Sequence, residues 1–251
     1  MITKKELQYY SQLLIKKYRQ RENKFTVEGK KSIVEGLTSN YKCEIIFVTN
    51  KFHTENESLI NNFYDYRVET IKQNEFNALS DTETPQGVAA VFIKPSLKLS
   101  IESLTNQTLI VLIDNISDPG NLGTIIRNCD WFGVKNIFLS TNTVEYTNPK
   151  VVRSSMGSIF HLNIYENVEV NQVEDFKNAG FEILCADLSG ENVFTYKSKK
   201  KKLLILSSEA HGPSDQIKKI IDKKITIPKL GEAESLNVAS ASAVLLSQLT
   251  K

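Results

Sequence analysis

The sequence predicts an α/β protein, and three observations carry that expectation. Short β-rich apolar runs alternate with amphipathic helical stretches along the whole chain. Several of the runs are apolar almost throughout, as buried strands are. Gly133 and Gly180 fall where helical patterns stop, the position a helix C-terminus favours.

Element by element, a charged helical pattern spans 4–20 and a short strand follows over 21–29, closing at Gly29. A short amphipathic helix covers 31–37, a buried strand 43–48, a helix 59–64, an extended stretch 66–71, a helix 73–80 and an apolar strand 87–93. Between 94 and 107, Pro95, three serines and alternating polar residues break the pattern and suggest a boundary, giving domains of 1–100 and 101–251. The alternation then restarts: strand 109–113, helix 122–132, strand 136–139, a short helix 149–156, strand 161–165, helix 174–179, strands 181–186, 203–206 and 224–227, and a helix 235–248 with Ser235 as its N-cap. Repeated strand–helix units imply a mostly parallel sheet with ligands at the carboxyl ends of its strands.

Composition narrows the function classes. With 41% hydrophobic and 24% charged residues, the chain reads as a soluble globular protein. A net charge of +2 neither demands nor excludes a polyanionic partner, because charge can be concentrated in a patch. One such cluster, Lys197, Lys199, Lys200, Lys201 and Lys202, reads first as a solvated loop before a strand. The three cysteines, 43, 129 and 185, form no CxxC or Cys/His grouping, so neither a disulfide framework nor a zinc site is expected. No metal is expected, no signal peptide or membrane span is recognised, and a reducing cytoplasm is the expected compartment.

Four segments can carry chemistry. In Asp114–Arg127 a strand enters a turn rich in Asp, Pro, Gly and Asn, and a helix follows; neither GxGxxG nor GxxxxGK[ST] is present. Arg127, six residues after Asn121, is either a phosphate clamp or an exposed arginine after a turn. Around Arg153 and Ser154, small hydroxyl residues and Gly157 suit close approach of a phosphate backbone, or a plain helix end. The strand 203–206 runs into Ser207, Ser208 and Glu209, small residues followed by an acid, with His211 as a loop histidine. Finally, a strand stops at Pro228, a turn holds Gly231, and Ser235, Leu236 and Asn237 lead into a helix of small residues, which alone would read as a well-packed terminal helix.

As an ordered set, these four segments resemble the SpoU, or TrmH-type, branch of the SPOUT RNA methyltransferases. Asp118–Pro119–Gly120–Asn121–Leu122–Gly123 with Arg127 resembles the first family motif, 206–212 the second, and Ile227–Pro228 through Asn237 the third. The stretches 25–29 and 84–89 resemble the ribosomal-protein-like RNA-binding domain that precedes many members. The resemblance implies a C-terminal trefoil-knotted domain, a homodimer and S-adenosylmethionine as cofactor, held by Leu206, Ser207, Ile227 and Leu236 largely through backbone groups. It implies a catalytic set of Arg127, Asn121, Glu209, Ser235 and Asn237, with Arg127, Arg153 and Ser154 on RNA. Ser207 and Ala210 depart from the glycines usual in the second motif, which bears on cofactor affinity. The reaction expected is methyl transfer to a ribose 2′-hydroxyl, in ribosomal RNA before tRNA; the alternative is a catalytically silent RNA-binding protein in ribosome assembly.

Overall fold

The computed structural model describes residues 2–208 and 212–251. The chain forms two compact units, Met1–Ser96 with Thr147–Phe160, and Leu97–Tyr146 with His161–Lys251.

The first unit is built on a four-stranded mixed sheet. Its strands are β1 (Lys24–Glu28), β2 (Lys42–Thr49), β3 (Val68–Ile71) and β4 (Val88–Ile93), in the order β1-β4-β2-β3. β4 is antiparallel to both neighbours, and β2 and β3 are parallel. The helix expected over 4–20 is broken into Lys4–Ser11, a 3-10 turn at Gln12–Leu14 and Lys16–Glu22. Ile15 is extended at the break (φ −100°, ψ 130°), Leu13 is fully buried, and Arg19 Nη1 donates to the Leu13 carbonyl at 2.8 Å. Burial of one leucine thus overrides helix periodicity, and residues 21–22, expected in a strand, end the second helix. One face of the sheet packs Tyr10, Leu13, Ile45, Phe47 and Phe76. Elsewhere in the unit, Phe160 lies 5.0 Å from Phe92 and 6.3 Å from Phe25, centroid to centroid. Gly36 leaves room for them, since a Cβ there would stand 2.5 Å from the Phe92 ring and 2.8 Å from that of Phe160.

The second unit has a six-stranded sheet in which every pairing is parallel. Its strands are β5 (Leu109–Asp114), β6 (Asn136–Ser140), β7 (Asn163–Val168), β8 (Phe181–Asn192), β9 (Lys201–Ser207) and β10 (Lys223–Thr226), ordered β10-β8-β9-β5-β6-β7. The chain runs outward from β5 to β7 and then returns to the other side of β5, so the order reverses between β5 and β9. Asp114 and Ser207 are register partners there, at the carboxyl ends of both strands. All six residues of β5 are buried, as a central parallel strand requires. The helix Val170–Asn178 covers one face through Phe176, against Leu112, Phe138, Ile183 and Ile205. The helices Pro119–Trp131 and Val238–Leu249 pack against each other.

β10 pairs with β8 in two stretches. Lys223 and Lys224 lie opposite Leu184 and Cys185, and then Ile225 and Thr226 opposite Glu191 and Asn192. Residues 186–190 bulge between the two, and Gly190 makes the bulge possible: a Cβ there would lie 2.5 Å from backbone atoms of Ile225.

Candidate active site

Three strands end around one cavity of about 260 Å³, lined by Ala186, Asp187 and Leu188 from the bulge of β8, Ser207 from β9, and Ile225 and Thr226 from β10. Ile227, Ser235, Leu236, Val238 and Leu245 close it from the C-terminal segment. The walls are chiefly apolar or small. Among the described lining residues the one carboxylate is Asp187, whose Oδ2 takes the Lys224 ammonium at 2.9 Å and whose Oδ1 accepts from Ser189 N and Oγ at 2.8 and 2.7 Å. Burial pushes the Asp187 carboxyl up, but the Ser189 donors and Lys224 outweigh burial and hold it below its ordinary value.

Beside the cavity, the turn after β5 is shaped by its polar residues. Asp114 is buried and its Oδ2 accepts from Ser214 N at 2.8 Å. Asp118 caps the next helix, its Oδ1 accepting from Asn121 N at 2.7 Å, with Pro119 in the first turn. That capping starts the helix at Pro119, earlier than the apolar pattern suggests. The Asn121 side chain faces the other helix, its Oδ1 accepting from Asn237 Nδ2 at 3.0 Å. Asn237 Oδ1 in turn accepts from Ala239 N at 3.0 Å and Ser240 N at 3.3 Å. Asn237, and not Ser235, is therefore the N-cap of the C-terminal helix, which begins at Val238. Ser235 is an exposed residue at the cavity wall.

The structure brings Ser207, Ile227, Leu236 and Ser235 to one cavity and ties Asn121 to Asn237. Leu206 does not line the cavity; its side chain is fully buried and it pairs with Ile113. Arg127 is exposed and makes no hydrogen bond or ion pair to a described residue. Six residues along a helix put it about 9 Å from Asn121 and about 120° around the axis, so the two share a helix but not a face. Arg153 and Ser154 belong to the first unit, where Arg153 pairs with Asp81 and Ser154 Oγ donates to Lys150 O at 2.8 Å. Glu209, like Ala210 and His211, lies outside the described residues. Among the described residues there is no group of three or more metal-ligating side chains, and no helix is long and apolar enough to cross a membrane.

Sequence reasoning missed two residues. Asn128 Nδ2 donates to Ala239 O and Ser242 Oγ, each at 2.9 Å. It follows Asn121 by seven residues, which is about two turns and nearly the same face; that spacing was the available signal. Asp187 gave none, because its place depends on the bulge in β8.

A parallel sheet with a cavity at the carboxyl ends of its strands, next to the point where strand order reverses, is the arrangement in which α/β proteins bind their ligands. Residues 108–247 match the SpoU rRNA methylase family, and residues 4–90 match the MRM3-like substrate binding domain. Over 241 residues the chain is 31% identical to the 23S rRNA (guanosine(2553)-2′-O)-methyltransferase RlmP of Bacillus subtilis, covering 96% of this chain and 94% of the relative. A TrmH-family protein from Porphyromonas gingivalis has a solved structure that superposes with a TM-score of 0.86 at 30% identity, over 99% of this chain and 98% of that one. The SpoU methyltransferase AviRb of Streptomyces viridochromogenes, solved with AdoMet, shares the fold at a TM-score of 0.87 and 24% identity, over 99% and 97% of the two chains. The chain belongs to the SpoU rRNA methylase family. It is an S-adenosylmethionine-dependent RNA methyltransferase.

Proposed function

We propose that the protein methylates a ribose 2′-hydroxyl of ribosomal RNA, with S-adenosylmethionine in the cavity and the target nucleotide at the adjoining helix N-termini. In this reading residues 1–100 hold RNA, residues 101–251 form a trefoil-knotted catalytic domain except for Thr147–Phe160, which packs with the first unit, and the protein works as a cytoplasmic homodimer. The exposed Trp131, with 83% of its surface open on the helix Pro119–Trp131, supports a partner surface there.

The observation that carries the reading is the cavity itself. Its apolar walls, small residues and strand-end peptide groups suit a flat purine ring held through backbone contacts. Ser207, Ile227 and Leu236 would hold the cofactor, and Leu206 would contribute only its backbone. When bound, the cofactor supplies a methyl group made electrophilic by its sulfonium. The chain's residues must then orient a 2′-hydroxyl and stabilise the charge that develops on it.

Arg127 is the cation of the first motif, and it pairs with none of the described residues. A guanidinium stays protonated, so it serves not as the base but as a bidentate phosphate clamp and a stabiliser of the alkoxide. Asn121 and Asn237 hold each other and thereby fix the two helix N-termini at the site. Ser235, exposed at the wall, offers a hydroxyl to the nucleotide. Glu209 is assigned from its motif alone. Arg153 and Ser154 contact RNA from the first unit, and the Asp81 pair must open for Arg153 to do so.

The test is methyl transfer from labelled S-adenosylmethionine to RNA from cells lacking the protein, with nucleosides resolved by mass spectrometry. The expected product is a 2′-O-methylnucleoside in the ribosomal fraction. Arg127→Ala should lower transfer by about 10²–10³ while cofactor affinity holds. Full transfer by that variant would remove Arg127 from the mechanism.

A further inference from the structure

The lysine run that precedes β9 is placed by the sheet. Lys201 lies opposite Phe181 at the start of β8, and Lys202 opposite Leu109 at the start of β5. The run therefore stands at the amino ends of the parallel strands, and the cavity stands at their carboxyl ends. β9 has seven residues, so the two are separated by about 20 Å at roughly 3.3 Å per step.

Lys200 acts through space on Glu182 and Asp222, helping to hold both carboxyls low, but forms no direct ion pair with a described residue, unlike several lysines nearby. Lys177, Lys218, Lys223 and Lys224 each have a carboxylate within 3.3 Å. None of Lys197, Lys199, Lys200, Lys201 and Lys202 makes an ion pair with a described residue, and the segment holds no acid. The acid opposite Lys202 is Glu182, which is buried and accepts from Tyr196 OH at 2.5 Å. Lys201 Nζ lies 5.6 Å from the centre of the Phe181 ring, and Lys202 Nζ donates to Lys200 O. Lys197, Lys199 and Lys200 are exposed and outside any strand.

We infer that this edge is a second RNA contact, one that takes the sugar–phosphate backbone of the same RNA that is methylated. Ammonium groups on flexible stems neutralise phosphates as point charges and read no base edges, so the contact is independent of sequence. It anchors the substrate away from the reacting nucleotide. A separation of about 20 Å sets the anchored phosphate several nucleotides along the RNA from the target. The inference rests on the methyltransferase reading for the identity of the RNA, but not for the contact.

The test compares the wild type with K197Q/K199Q/K200Q and with the matching triple arginine variant. Binding of in vitro transcribed ribosomal RNA is measured as a function of salt, and steady-state transfer alongside it. The glutamine variant should lower the steepness of log K against log[salt] by about 2–3, one step of about 0.7–0.9 per lost phosphate contact. KM for RNA should rise while kcat and S-adenosylmethionine affinity hold, and the arginine variant should restore both slope and KM. RNA fragments too short to span about 20 Å from the target nucleotide should bind wild type and variant alike. An unchanged slope with unchanged KM overturns the inference. A wild type that transfers no methyl group, with the slope still lost in the variant, overturns the methyltransferase reading and leaves this contact standing.

Discussion

Replacing Asn237 separates two jobs done by one side chain. Its Oδ1 caps the C-terminal helix through Ala239 N and Ser240 N, and its Nδ2 reaches Asn121 Oδ1 at 3.0 Å. Loss of an N-cap costs about 1 kcal/mol, and loss of a hydrogen bond of this kind about 1 kcal/mol. Asn237→Ala should therefore destabilise the protein by about 2 kcal/mol, a fall of roughly 4–8 °C in Tm at this chain length. Asn237→Ser keeps a capping oxygen but cannot reach Asn121, so it should cost about 1 kcal/mol. Asn121→Ala should cost the same, and the double variant Asn121→Ala/Asn237→Ala should lose about 1 kcal/mol less than the sum of the singles. The assay is urea unfolding followed by far-ultraviolet circular dichroism, with S-adenosylmethionine titrated calorimetrically into each folded variant. Strict additivity would show that the two asparagines do not hold each other. Equal losses for Asn237→Ser and Asn237→Ala would show that capping contributes nothing.

Two further outcomes follow from packing and burial. Gly190→Ala places a methyl group against the Ile225 backbone, which should cost about 2–3 kcal/mol as overpacking and weaken cofactor binding by moving the bulge that walls the cavity; an unchanged urea midpoint and unchanged affinity would refute it. Burial pushes the Cys43 and Cys185 thiols up to about 12, and raises Cys129 as well, so at pH 8 almost none of any of them is thiolate. Ellman's reagent at pH 8 should leave the buried Cys129 and Cys185 of the folded protein unmodified, react at most slowly with the half-buried Cys43, and titrate all three after denaturation; rapid reaction of two or three thiols in the folded form would contradict the burial.

The parts of the fold that were legible in the sequence are those decided by local pattern. β5 and β9 read as buried strands because sheet neighbours and helices leave little of them to solvent, so their residues run apolar without alternation. What depended on distant partners was not legible. Ser235 and Asn237 are both good capping residues, and the choice between them is made by Asn121, 116 residues away in the chain. Ile15 breaks a helix whose periodicity continues through it, because Leu13 turns inward. For the candidate site, the motifs that led to Ser207, Ile227 and Leu236 also lead to one cavity. Asp187 has no sequence signal because a carboxylate in a bulged strand has no pattern of its own, and the side chain of Leu206 is buried, which leaves its backbone as the part that can face a ligand.

The grouping of Thr147–Phe160 with the first unit has a consequence for how the chain matures during synthesis. Phe160 fills the space beside Phe25 and Phe92 that Gly36 leaves open, and it is made more than sixty residues after β4 is complete. At roughly 5–20 residues per second, the emerging N-terminal segment waits several seconds with that aromatic face uncovered. During this interval β5 and β6 leave the ribosome before the segment that seals the earlier core. Domain-by-domain vectorial folding is thereby replaced by an interleaved order, in which the N-terminal core closes only after the C-terminal sheet has begun. A fragment cut after β4 would carry the uncovered aromatic face permanently, and a chaperone that recognises exposed apolar surface would have its longest opportunity to bind there.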